Sequence, residues 1–280
     1  MDEKLLNSHM EKLSTELKLK KSSDKTISIY SYFVKRFLLQ LESSPERATE
    51  DDVKKFLANI IDSYNTKSYA LLLSSLRFFF KRVVKRPVMI DIETPKIEKE
   101  IKDVLSKEEV ERLIEAAPTK KSKLIIGFMY STGLRVSELV SLSKKNLDLE
   151  DAQGVVKKGK GKKDRTFYFS KGLVSPFREY LSTIQGDMVF PGWKGKHMDP
   201  RNVQNLLERL RVKTGITKRV SPHTLRRSFA THLHDDGYDI KYIQELLGHS
   251  RVDTTERYID VSSKQLKKIK NPYDSLNIKL

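Results

Sequence analysis

Six side chains in this sequence have the types that move a phosphoryl group between oxygens: Arg135, His223, Arg226, His249, Tyr258 and one lysine of the basic stretch 157–163. A phosphodiester is already anionic, and its transition state gathers further charge on the non-bridging oxygens. Two guanidiniums, Arg135 and Arg226, carry the forked N–H donors that hold such oxygens. A lysine can protonate a leaving 5′ oxygen, because an ammonium is a donor whose acidity its surroundings tune. A histidine can assist proton transfer from a tyrosine hydroxyl. A tyrosine that attacks phosphorus stores the bond energy in a phosphotyrosyl ester, so rejoining needs no nucleotide cofactor, and the set calls for no metal.

These residues need elements to place them. An apolar helix should end near Gly133 and a new one start, with Arg135 in its first turn and Glu138 three residues on, on the same face. Alone, that is an ordinary helix-initiating arginine paired with a glutamate. Ser221 suits an N-cap and Pro222 the first helical position. His223 then sits in the first turn, where backbone N–H groups and the dipole favour an anion, and Arg226 follows at i+3. Arg227 points roughly 100° away around the helix and reads as structural. A helix over residues 240–247 should stop at Gly248, leaving His249 just past its end, where it could instead cap the last carbonyls. Asp253 and Glu256 have capping-box spacing, which places Tyr258 in the second turn of a short helix, although one tyrosine among eleven is ordinarily a core residue. Residues 154–158 and 165–169 flank a glycine-rich basic turn, a hairpin carrying Lys160 with Lys158, Lys162 and Lys163 nearby. The combination carries the chemistry; no single segment does.

The net charge of +17, from 54 basic and 37 acidic residues spread over both halves, points to a polyanionic partner. DNA, RNA and an anionic membrane all fit that charge, and a solvated basic surface is the plain alternative. No stretch is apolar and long enough to span a bilayer, and the N-terminus lacks a hydrophobic signal core, so a cytoplasmic protein is expected. The absence of cysteine excludes disulfides and cysteine-ligated zinc. His232 and His234 lie beside Asp235 and Asp236, but residues two apart diverge by roughly 200° on a helix and do not converge on a metal. Helical periods near residues 5–19, over 25–42, from a Thr49 cap to about 61, and over 67–85 predict a four-helix domain spanning 1–86. Residues 87–103, with Pro87 and Pro95, read as an extended linker. The second domain, 104–280, opens on the capping-box spacing of Ser106 and Glu109 and is mostly helical with one hairpin. The expected fold class is mainly α with a small β-hairpin or sheet.

At these residues the chain resembles the tyrosine recombinases, the phage-integrase superfamily, and most of all their Xer branch. The family order is arginine, lysine, His-x-x-Arg, histidine or tryptophan, then tyrosine. Here it reads Thr132-Gly133-Leu134-Arg135 with Glu138, Gly159-Lys160-Gly161-x-Lys163-x-Arg165, Pro222-His223-x-Leu225-Arg226, Leu246-Leu247-Gly248-His249, and Tyr258. The likeness covers most of residues 105–262; the first half matches only as a four-helix core-binding domain. It implies an α+β catalytic domain in which Arg135 and Arg226 bind the scissile phosphate. Lys160 would be the general acid for the 5′-hydroxyl and His223 a general acid/base. His249 would support the phosphate, Tyr258 form the 3′-phosphotyrosyl bond and Glu138 buttress the site. It also implies a C-shaped clamp on double-stranded DNA and a homotetramer on two sites, exchanging strands through a Holliday junction. The tail after Ile259 has apolar residues from Leu266 to Leu280 that would dock on a neighbour or on its own domain. The implied function is site-specific recombination that resolves chromosome or plasmid dimers. The alternatives are a mobile-element integrase or transposase, type IB topoisomerase-like relaxation, and a DNA-binding module without catalysis.

Overall fold

The computed structural model describes residues 2–89, 91–96, 103–157, 164–195, 197–248 and 269–278. Lys160, His249 and Tyr258 lie outside the described residues, as do Lys158, Lys162 and Lys163. The chain forms two compact units, one from residues up to 100 and one from 101 onward.

The first unit is helical. Its helices are α1 (Glu3–Leu19), α2 (Asp24–Gln40), α3 (Glu50–Ile60) and α4 (Thr66–Phe79). Each starts at a side chain that accepts a backbone N–H of the first turn: Asp2, Ser23, Thr49 and Asn65. At Thr49 the box closes, with the Thr49 N–H donating to Asp52 at 2.8 Å. The apolar faces meet around Phe37, whose ring lies edge-on to Phe56 with centroids 5.2 Å apart. The period over 67–85 predicts one helix, but α4 gives way to a π-helical turn at Phe80–Val84 that ends at Lys85 with φ +60°.

The predicted linker is not wholly a linker. Val88, Met89 and Ile92 are buried in the first unit's core, and Arg77 donates to the Ile92 carbonyl. Each such apolar side chain gains about 1.5–3 kcal/mol by leaving water, so the chain stays on this core before moving on. A segment without helical period can still have a hydrophobic place to go.

The second unit begins with α5 (Lys107–Glu115), capped by Ser106 and Glu109 as their spacing predicts. Next come α6 (Lys120–Thr132), the short α7 (Val136–Val140), and the strands β1 (Leu147–Asp148), β2 (Gln153–Val156) and β3 (Arg165–Tyr168). The strands form one antiparallel sheet in the order β1-β2-β3, with Val156 opposite Arg165. The hairpin is the predicted one; β1 is too short to show a period. Helices α8 (Val174–Ser182), α9 (Pro200–Thr214), α10 (Pro222–Asp235) and α11 (Ile240–Leu247) complete the unit. From Leu124 to Thr132, α6 is buried on all sides, as befits a helix at the centre of a core. Phe128 on it packs against Phe177, with centroids 4.8 Å apart, and α10 covers another side with Leu225, Phe229 and Leu233. The described part of the C-terminal tail docks on this same unit. Tyr273 is buried, and Asn271 Nδ2 donates to the Ser131 carbonyl at 2.7 Å.

Candidate active site

The site is built where α6 stops. Gly133 follows its last turn with φ +60°, a left-handed conformation that favours glycine. A Cβ there would lie 2.5 Å from Leu247 Cδ2 and 2.9 Å from Phe229 Cδ1. Only a bare backbone lets α10 and α11 close on this turn. Two residues on, Arg135 is the N-cap of α7 and not, as its spacing predicts, a first-turn residue. Its extended backbone turns the Arg135 N–H onto Glu138 Oε2 at 2.9 Å, while its Nη1 donates to Glu138 Oε1 at 2.8 Å.

Glu138 has a second cation. Arg165, the first residue of β3, donates from Nη2 to Glu138 Oε2 at 2.7 Å and from Nη1 to the Leu246 carbonyl at 3.1 Å. Arg226, in the second turn of α10, makes a parallel connection. Its Nη1 donates to the Gly133 carbonyl and its Nη2 to the Leu247 carbonyl at 2.7 Å. The last carbonyls of α11, which lack helical partners and carry the negative end of its dipole, are thus held by two guanidiniums. Gly248 ends that helix with φ +63°, and a Cβ on it would lie 2.2 Å from Arg165 Cδ.

The electrostatics follow from this packing. Among the described residues, two guanidiniums pair with the Glu138 carboxylate and a third, Arg226, lies near enough to feel all three charges, which leaves a surplus of positive charge. Arg226 is 7% exposed; burial, reinforced by the charges of Arg135 and Arg165, pushes its pKa down to about 10 against the pull of Glu138. Burial likewise lowers Arg165, with Arg135 adding and Glu138 opposing. Burial alone would raise Glu138, but the Arg135 N–H and the Arg165 and Arg135 charges outweigh it and hold the carboxyl below its usual range. Such a cluster stabilises an anion that offers acceptor oxygens. Each guanidinium has five N–H donors, and the bonds above leave some on Arg135 and Arg226 for a ligand.

Of the six predicted site residues, the structure brings Arg135 and Arg226 together. His223 is exposed in the first turn of α10, one turn before Arg226, after an N-cap in which Ser221 accepts from the Thr224 N–H at 3.2 Å. In the sequence Lys160 falls between β2 and β3 and His249 follows Gly248 directly, both outside the described residues. Arg227 leaves the site and donates to the Asp103 carbonyl at 2.8 Å. His232 faces inward, its Nδ1 2.7 Å from the Tyr130 hydroxyl, while His234 is exposed. Among the described residues no group of three or more histidines and acids is placed to hold a metal ion. Arg165 stands in the motif read from the sequence, but the sequence assigns it no role in the site. Its signal was present, an arginine closing the basic turn at the start of a strand, but nothing local says that it reaches Glu138.

The chain has known relatives. The phage integrase family matches residues 103–265, and the phage integrase N-terminal SAM-like domain matches residues 9–90. Tyrosine recombinase XerA of Pyrococcus furiosus is 37% identical over 276 residues, covering 95% of this chain and 94% of the relative. Tyrosine recombinase XerD of Oceanobacillus iheyensis is 32% identical, covering 90% and 92%. Among solved structures, a lambda integrase tetramer bound to a Holliday junction superposes with a TM-score of 0.73 at 20% identity, over 92% of this chain and 80% of that one. At that identity the likeness concerns the fold.

Proposed function

The chain belongs to the phage integrase family of tyrosine recombinases, and on that premise we propose how its residues divide the reaction. It is a Xer-like site-specific recombinase, an enzyme of DNA cleavage and strand transfer. The scissile phosphate of double-stranded DNA sits against Arg135 and Arg226, whose charge-assisted hydrogen bonds strengthen as its oxygens gain charge. The Tyr258 hydroxyl attacks phosphorus and gives up its proton with the help of His223. The new P–O bond joins Tyr258 to the 3′ end, and the P–O5′ bond breaks. Lys160 supplies the proton that leaves with the 5′-hydroxyl, and His249 supports the phosphate. Attack by the 5′-hydroxyl of another strand reverses the step and frees Tyr258. One phosphoester replaces another each time, so no external energy source is needed. The observation that carries this reading is the cluster, among the described residues, of Arg135 and Arg165 on the Glu138 carboxylate with Arg226 close by.

Four copies on two DNA sites, with the C-terminal tail passing to a neighbour, are the assembly we infer; the lambda integrase that shares this fold is a tetramer bound to a Holliday junction. In the single chain, the segment 269–278 packs on its own unit. Among the described residues no helix is long and apolar enough to cross a membrane; the cytoplasm is the compartment we propose. Resolution of chromosome or plasmid dimers is favoured over element integration because the Xer relatives match along almost the whole chain.

The test uses duplexes selected for binding from random sequence, nicked near the cleavage point and incubated with the protein in EDTA. A covalent adduct on a denaturing gel that disappears in Tyr258→Phe is expected. Tight binding with no adduct on any selected duplex overturns the reading. A supercoiled plasmid carrying two sites separates exchange from simple relaxation.

A further inference from the structure

We propose that Arg165 is a positioning residue for this reaction, a strut that sets Arg135 through Glu138 and holds the end of α11 in register with it. The inference rests on the recombinase reading above. Arg165 stands 27 residues from Glu138 and 81 from Leu246, so one side chain from β3 joins α7 to the last turn of α11. Its side chain is 9% exposed, and Gly248 has no side chain where Arg165 Cδ passes.

What the strut does follows from how Glu138 spends its oxygens. Oε1 receives one arm of Arg135, while Oε2 is shared by the Arg135 N–H and Arg165 Nη2. Glu138 therefore holds Arg135 by one arm only. Without Arg165, Oε2 loses one of its two donors and has a lone pair for the second arm, and a two-armed carboxylate pair with Arg135 competes with the phosphate for the same donors. The other arm of Arg165, on Leu246, ties this balance to the helix end from which the chain continues into His249. Buried Arg165 Nε has no partner among the described residues. A donor left unpaired in a core costs stability, so the guanidinium is placed for its two other bonds.

The test compares two nicked duplexes, one with a normal scissile phosphodiester and one with a neutral methylphosphonate there. Misplacing Arg135 matters only where the scissile group carries the charge that Arg135 answers. Arg165→Gln is expected to slow adduct formation on the phosphodiester by about 10- to 100-fold, the scale seen when a supporting residue around a reactive centre is lost. On the methylphosphonate the loss should shrink to within about threefold, with Arg135→Ala showing the same pattern. Equal losses on both duplexes, or none on either, overturn the proposal and leave Arg165 a purely structural residue. Wild-type adduct formation in the same gels tests the recombinase reading separately. Should Arg165→Gln fail to fold, Arg165→Lys keeps the charge beside Glu138 but loses one arm, and the same ratio of the two duplexes is read on it.

Discussion

Arg226 donates a hydrogen bond to the carbonyl of Gly133, 93 residues earlier in the chain. That bond makes the end of α6 and the start of α10 a single structure, and it sets a buried cation beside Arg135. A buried cation next to others is costly until an anion arrives. Inorganic phosphate or vanadate should therefore raise the melting temperature of the wild type. A site occupied at a hundredfold excess over its dissociation constant contributes about 2.7 kcal/mol. Arg226→Gln should abolish the shift; an equal shift in both proteins would place the anion elsewhere.

Arg226→Lys keeps the charge but loses the fork that reaches Gly133 and Leu247 together. A lysine is a point charge with no planar pair of arms. DNA affinity should change little, while adduct formation falls by about 10²- to 10³-fold, the effect of removing one placed donor from a developing charge. Single-turnover rates beside binding isotherms separate the two.

Gly133→Ala should destabilise the second unit. The left-handed φ and the approach of Leu247 and Phe229 act together, and overpacking of this kind costs about 1–3 kcal/mol. Denaturant unfolding gives the figure, and a variant as stable as the wild type would show that α11 can move aside.

The buried pair of Tyr130 and His232 predicts acid sensitivity. Burial, with Lys107 beside it, lowers the His232 pKa against the opposing pull of Asp235, the Leu105 backbone and Asp236. A histidine depressed in the fold is neutral there while the unfolded chain still takes up a proton. Its stabilising contribution is complete above about pH 6.5 and is lost as the pH falls from there toward the lowered folded value. His232→Gln should flatten that part of the stability profile. An unchanged slope between pH 7.5 and 5 would assign the sensitivity to other groups.

Tyr273 packs on Gly127, where an added Cβ would lie 2.8 Å from its ring, and burial pushes its hydroxyl well above the usual tyrosine value. Tyr273→Ala should cost the second unit about 3–5 kcal/mol, as for other large buried rings. Thermal unfolding of full-length chains checks it, and a change under about 1 kcal/mol would mean that the tail contributes little.

Much of this protein is local enough to be read directly. Helix starts at Thr49, Ser106 and Ser221 are written in side chains that bond to their own first turn, three residues away. The helical stop at Gly248 needs only a residue tolerant of positive φ. The order of Arg135, the His223-x-x-Arg226 pair and the basic hairpin is linear information, and it is enough to point to the family. Tertiary structure decided what depends on encounters between distant segments. The stretch with Val88, Met89 and Ile92 has no period, yet it is buried because the first unit's core has room for it. Arg135 moved from first turn to N-cap because its N–H found Glu138. In the sequence Arg165 only opens a strand after a basic turn; packing sets it between Glu138 and Leu246. Caps and turns are settled within a few residues by backbone geometry and hydrogen bonding, whereas the partner of a buried charge is chosen by the whole core that excludes water around it.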